Sequence, residues 1–192
     1  MSRPRPRKSW PSRMARIRPQ QLVIDTDVTG AAGPKAGISL ACARFLEAVR
    51  ETGHRIVRTD TLRDEWNRHR SNFAASWLRT MYARRKVDDI SVEANGLLRT
   101  AMILDASEAE AEIMLKDVHL IEAAMATARR VVSREVACRA CFVAAAVCVA
   151  AVRTVCWVNP AAADEEPVEW LRRGAPLDPH RLLGFAARRD RL

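Results

Sequence analysis

Four acidic residues, Asp25, Glu65, Asp117 and Glu135, stand where acids can do chemistry. Asp25 directly follows the apolar run Leu22-Val23-Ile24, and Glu65 falls about a turn into the helix expected after Ile56-Val57. Glu135 lies just past Val131-Val132-Ser133, while Lys116-Asp117 is read as opening a helix that leads to that strand. If these strands run parallel, three of the acids come from strand C-terminal ends on one edge of a sheet, where open α/β proteins bind ligands. Asp117 reaches the same edge from its helix start. Carboxylates gathered in one cleft repel each other unless a divalent cation shares them. Hard oxygen ligands of this number suit Mg²⁺ or Mn²⁺. A metal so held lowers the pKa of a bound water and stabilises charge building on a phosphate oxygen. No nucleophile–histidine pair is evident, and His54, His69, His119 and His180 follow no zinc spacing. The chemistry indicated is metal-assisted hydrolysis of a phosphodiester.

Each acid also has an ordinary structural role open to it. Asp25 or Asp27 suits a helix cap, and Asp117 suits a cap or a partner for the helix dipole. Glu65 would be an exposed helix residue and Glu135 a first-turn acid. Singly these roles suffice; the shared placement of the four at one sheet edge is what favours a site.

The elements that must position these acids alternate between short apolar strands and helices. Gln21 to Val28 reads as a buried strand running into its acids, with Gly30, Gly33 and Pro34 soon after. Ala36 to Thr52 has helical spacing and ends at Gly53. His54–Arg58 is a strand, and Thr59-Asp60-Thr61 caps a helical stretch from Leu62 to about Arg85, broken near Ser71-Asn72. Val87–Val92 reads as a loop or a short edge strand. Helices are expected over Ala94–Leu104, Ser107–Met114 and Lys116–Ala128, then a strand at Arg130–Ser133, a buried helix over 136–151 and a last strand at Thr154–Val158. This alternation predicts an α/β fold: a three-layer α/β/α sandwich around a mostly parallel sheet. Beyond Ala161, Asp164 is expected to cap a short helix with Pro167 in its first turn. Trp170, Leu171, Leu182, Leu183 and Phe185 would dock either on the domain or on a second subunit, as in a homodimer.

The 192 residues fit one domain, and 48% hydrophobic residues suffice for a core. The net charge of +9 is less telling than it looks. Residues 1–20 carry seven basic residues and no acid, which leaves +2 for residues 21–192. A nearly neutral body is weak support for nucleic-acid binding by charge alone. Residues 1–20, with four prolines among the arginines, read as a disordered basic tail. Two readings of that tail stay open: an RNA-contacting arm, or residues preceding a true start at Met14. It has no apolar signal region. The basic residues from Arg63 to Lys86 make either a solvated helix face or a phosphate-contacting surface. Five cysteines, an odd number, suit a reducing, cytoplasmic compartment. Cys138 and Cys141 form a CxxC within an Ala-rich run, read as core packing rather than a zinc or redox site. The apolar stretch from Ala140 to Val152 is too short to cross a bilayer, so no membrane association is expected.

Residues 21–160 resemble a PIN domain, the nuclease fold of the VapC-type toxin ribonucleases. Three segments carry the resemblance: Leu22 to Val28; Leu62-Arg63-Asp64-Glu65; and Lys116-Asp117-Val118-His119-Leu120-Ile121-Glu122-Ala123-Ala124 continuing to Val131-Val132-Ser133-Arg134-Glu135. The resemblance implies a Mg²⁺- or Mn²⁺-dependent ribonuclease acting on single-stranded RNA. Asp25, Glu65 and Asp117 would be the core metal ligands, Thr26 or Ser133 would orient ligands or water, and Glu135 would complete the site. The family usually has Asp where this chain has Glu135, and Asn or Ser where it has Asp27. It also implies an antitoxin protein as partner, if the chain is the toxin of a toxin–antitoxin pair. Residues 161–192 read as a separate helical tail, which resembles only a subset of such proteins.

Two other functions compete. Asp25-Thr26-Asp27-Val28-Thr29 fits the DxDxT signature of haloacid dehalogenase-like phosphatases, with Asp25 as nucleophile and Asp27 as general acid. That fold needs a later Lys and a paired-acid motif; Lys116 precedes a helix, and no such motif follows Val131-Val132. The other is a catalytically impaired PIN-like RNA-binding or regulatory module, since fold does not fix function.

Overall fold

Apolar residues on both sides of the central strands require a sheet covered on both faces, and this is what the computed structural model shows. It describes residues 18–185. The sheet has five parallel strands in the order β3-β2-β1-β4-β5: β1 (Gln21–Ile24), β2 (Arg55–Arg58), β3 (Val87–Asp89), β4 (Arg130–Val132) and β5 (Cys156–Val158). Leu22, Val23, Ile24, Ile56, Val57, Val131, Val132 and Val158 are wholly buried. Helices α1 (Thr26–Ala31), α2 (Ile38–Thr52), α3 (Asp60–His69) and α4 (Asn72–Ala83) pack together on one face. Helices α5 (Gly96–Ile103), α6 (Glu108–Ala126) and α7 (Val136–Ala145) cover the other. Right-handed crossovers dictate this division. The chain moves outward from β1 to β3 along one face and returns along the other to place β4 on the far side of β1. The predicted three-layer α/β/α sandwich is therefore observed, with a sheet that is parallel throughout.

Local chemistry explains most boundaries. Gly53 ends α2 in the left-handed region, with φ 74°. Thr59 caps α3 and Ser71 caps α4, which places the expected break near Ser71-Asn72 between two helices. Gly30 lets α1 lie against α3, because a Cβ there would meet the His69 carbonyl oxygen at 3.0 Å. The ambiguous stretch from Val87 contains a short edge strand.

Four expectations need correction. The first strand stops at Ile24, and Thr26 begins a helix at once, with Asp25 as its N-cap. The two helices expected around Asp117 are one, α6, and Asp117 lies well inside it. Its start is set by a capping box, in which the Ser107 amide donates to Glu110 at 2.9 Å. Between Met114 and Val118 there is neither Gly nor Pro to stop it. Helix α7 ends at Ala145 rather than residue 151, and the Arg153 guanidinium donates to the Ala146 and Val147 carbonyls beyond it. Asp164 does not cap the last helix, α8 (Pro167–Arg172); Glu166, at φ 43°, holds that position. The loop before α8 is instead gathered by Glu165, which pairs with Arg139 and Arg181 and accepts from the Asn159 amide at 3.1 Å.

The C-terminal segment lies on its own domain, where α8 packs against α2. Trp170, Leu171 and Leu183 are wholly buried, Leu182 is half-buried and Phe185 stays exposed. The buried His54 ring accepts from the Gln20 amide through Nδ1 and donates through Nε2 to the Leu171 carbonyl, both at 2.9 Å. It thereby ties the approach to β1 to α8. Almost all of the tail expected to be disordered lies outside the described residues. Among the described residues, no helix is long and apolar enough to cross a membrane.

Candidate active site

The chain reverses its direction of travel across the sheet between β1 and β4, so the crevice beyond their C-terminal ends is the natural ligand site. A cleft of about 360 Å³ opens there. All four predicted acids, Asp25, Glu65, Asp117 and Glu135, line it together with Thr26 and Asp27. Lys116 on α6, and Arg68 and His69 on α3, complete its walls.

Asp25, only 7% exposed, caps α1 and also faces the cleft. Burial drives its carboxyl up from 3.8 to about 6; the Ser133 hydroxyl donates to it and moderates the rise, while the neighbouring Asp117 adds to it. Ser133 is itself fully buried, and its oxygen accepts from the Glu135 amide at 3.1 Å. One side chain thus connects the end of β4 to the end of β1.

Asp27 belongs to the first turn of α1. Its Oδ2 accepts from the Arg134 amide at 2.9 Å and lies 3.3 Å from the Arg134 Nε, while Oδ1 is buried without a partner. Burial and the Asp25 carboxylate raise the Asp27 carboxyl to about 7, with Arg134 opposing.

Glu65 is positioned by its neighbour. The indole of Trp66 donates to the Ile24 carbonyl at 3.2 Å, fixing α3 to the end of β1. The Thr26 hydroxyl donates to Glu65 Oε2 at 3.1 Å, and His119 Nε2 lies 3.5 Å from the same oxygen. Burial pushes Glu65 up, but His119 and Thr26 together outweigh it and hold the carboxyl below its usual range. His119 answers in the opposite sense. Burial alone would lower it, yet Glu65, then Asp25 and the Lys116 carbonyl, hold it above the ordinary histidine value.

Asp117 is half-buried on α6, and the Cys138 thiol of α7 hydrogen-bonds to it. Burial, then Asp117, pushes that thiol up, so Cys138 remains a neutral donor. Glu135 stands exposed on the rim as the residue preceding α7, without a side-chain cap bond.

The cleft therefore collects every predicted acid but does not hold them in a closed set of ligands. Among the described residues, no three His, Cys, Asp or Glu side chains converge closely enough to hold a metal ion. Glu65 is drawn toward His119 and Asp27 toward Arg134. The donor chemistry nevertheless fits a hard divalent cation. The acids offer oxygen alone, and Asp27 Oδ1 lacks a partner. Burial first, then a neighbouring carboxylate, raises both Asp25 and Asp27, a strain that a divalent cation bound there would relieve.

Three participants were missed by sequence reasoning. His119 sits between the buried Val118 and Leu120 with no spacing motif, Arg134 acts partly through its backbone amide, and Cys138 was read as packing alone. Cys42, Cys138, Cys141 and Cys156 are buried and Cys148 is exposed, all as free thiols.

The fold and site together define an open, parallel α/β protein with an acid-lined cleft at its topological switch point. Comparison with family models, curated proteins and solved structures returns no match.

Proposed function

We propose that the protein is a Mg²⁺- or Mn²⁺-dependent endoribonuclease of PIN type, hydrolysing RNA phosphodiester bonds at this cleft. The carrying observation is the convergence of Asp25, Asp27, Glu65, Asp117 and Glu135 on one crevice, with Asp25 and Asp27 raised first by burial and then by a neighbouring carboxylate, Asp117 for Asp25 and Asp25 for Asp27. In this reading Asp25, Glu65, Asp117 and Glu135 would hold the cation. When bound, it supplies a low-pKa water and charge stabilisation at the phosphate. Ser133 holds Asp25, Thr26 holds Glu65, and the Cys138 thiol donates to Asp117, so three of the four acids have a partner that restrains them beside the cleft. Glu135 reaches inward from the rim, its extra methylene compensating for a position outside the buried floor. An antitoxin protein and a second copy of the chain are the partners this reading suggests.

The test is cleavage of single-stranded RNA with Mg²⁺ or Mn²⁺, comparing the natural protein with Asp25→Asn and Asp117→Asn. Metal-dependent release of 5′-phosphorylated fragments by the natural protein alone is expected. Unchanged cleavage in both variants would sink the assignment.

A second reading, an impaired RNA-binding or regulatory module, is favoured by the Glu65–His119 and Asp27–Arg134 pairs, which already engage part of the acid set. Glu135→Asp separates the two. Cleavage that appears only in this variant means the natural chain has lost its chemistry. The phosphatase reading draws on Asp27, whose carboxyl at about 7 suits a general acid. Trapping of phosphorylated Asp25 with beryllofluoride would favour it over the nuclease.

A further inference from the structure

The basic residues around the cleft fall into two groups. His119 and Arg134 lie behind its lining and pair with Glu65 and Asp27. Arg68 and Lys116 are exposed on the walls, and among the described residues neither forms an ion pair with a carboxylate. Arg68 donates only to the Asp64 backbone carbonyl, at 3.3 Å, yet its charge is felt at Glu65. The two come from opposite layers of the sandwich, Arg68 from α3 on one face of the sheet and Lys116 from α6 on the other. A ligand lying over the acids therefore meets a free cation on each side, with His69 beside Arg68.

We infer that Arg68 and Lys116 form a two-sided clamp for the phosphates flanking the scissile one, so that the site takes a nucleic-acid chain and not a free nucleotide or small phosphate ester. The inference rests on the nuclease reading for the identity of its substrate. A chain crossing the sheet edge brings its central phosphate to the carboxylates and its neighbours to the two walls. A mononucleotide can engage one part of this arrangement but never both walls. Unpaired cations also retain their full electrostatic attraction for phosphate, since no carboxylate must first be displaced.

The experiment measures anisotropy of a short fluorescein-labelled oligouridylate with metal chelated, over a series of salt concentrations. It compares the natural chain, Arg68→Gln, Lys116→Gln, the double variant and Lys116→Arg. Each glutamine is expected to weaken binding roughly three- to ten-fold and to flatten the log–log salt slope by about 0.7. Lys116→Arg should bind like the natural chain. Uridine 5′-monophosphate should compete poorly and equally against all forms. Unchanged affinity and slope in a double variant of unaltered melting temperature would overturn the clamp, as would competition by the mononucleotide at oligouridylate concentrations. Cleavage of the same RNA with Mn²⁺ is scored separately. Binding with the expected slopes but no cleavage defeats the nuclease reading and leaves the clamp standing. Cleavage with indifferent slopes does the reverse.

Discussion

Replacing Asp25 by Asn should stabilise the metal-free protein at alkaline pH while abolishing the RNA cleavage proposed for it. The Asp25 carboxyl is raised from 3.8 to about 6, chiefly by burial. As pH rises, the unfolded chain loses this proton first, so the folded state gives up stability through the interval from 3.8 to about 6. That interval corresponds to about 3 kcal/mol once the group is ionised in both states. Asparagine removes the charge but keeps an acceptor for Ser133 and a good N-cap for α1. Its new amide donors lack partners, which returns about 1 kcal/mol. A net gain of about 1–2 kcal/mol remains, or about 2–8 °C in melting temperature for a chain of this size. Thermal unfolding followed by circular dichroism in a chelating buffer at alkaline pH measures it. Near pH 4, where natural Asp25 is protonated when folded, the gain should vanish. Saturating Mg²⁺ should narrow it at alkaline pH by stabilising the natural chain alone. A variant less stable than the natural chain by the same amount at both pH values would refute the reasoning, because Asp25 would then carry no buried-charge penalty.

Other predictions follow from individual contacts. Asp117→Asn should abolish metal-dependent RNA cleavage with melting temperature retained or raised; full activity would remove Asp117 from the site. His54 is held below its ordinary value of 6.5 by burial. Its contribution to stability is thus present above 6.5 and lost as pH falls below it. His54→Gln should lack this loss, so the difference in melting temperature between natural chain and variant should shrink on acidification. A difference independent of pH would show that His54 does not titrate on unfolding. Trp66→Phe removes the indole donor from the Ile24 carbonyl and should cost about 1–2 kcal/mol in chemical denaturation. It should also weaken Mn²⁺ binding measured by calorimetry, although every acid remains in place. A loss of stability with unaltered Mn²⁺ affinity would separate the fold from the site.

The strands and the acids could be read from sequence because both announce themselves locally. Leu22-Val23-Ile24 and Val131-Val132 are short apolar runs ending in polar residues, and buried parallel strands look like that whatever surrounds them. Asp25 follows such a run directly and Glu135 follows one after Ser133 and Arg134, so their place on the sheet edge came with the strands. Asp117 was placed correctly in the cleft for a mistaken reason. It was read as a helix start, whereas it lies mid-helix with its side chain on the face turned to β1 and Cys138. Continuity of α6 depends on the absence of a stop signal, which a local reading weighs poorly against an attractive Lys-Asp cap. Arg134 and His119 were invisible for a different reason. Their roles depend on residues far away in the chain, Asp27 and Glu65, and on a backbone amide that every residue possesses.

The Trp66 hydrogen bond has a consequence for how such a site is altered. Its two partners, Ile24 and Trp66, are the immediate sequence neighbours of Asp25 and Glu65. A buried bond in which neither acid takes part thus fastens the backbone beside one to the backbone beside the other. An indole in the core acts as a spacer for the two, and exchanging it is expected to alter their spacing without altering their charge. A search for altered activity confined to the ionisable residues would pass over the position that tunes them.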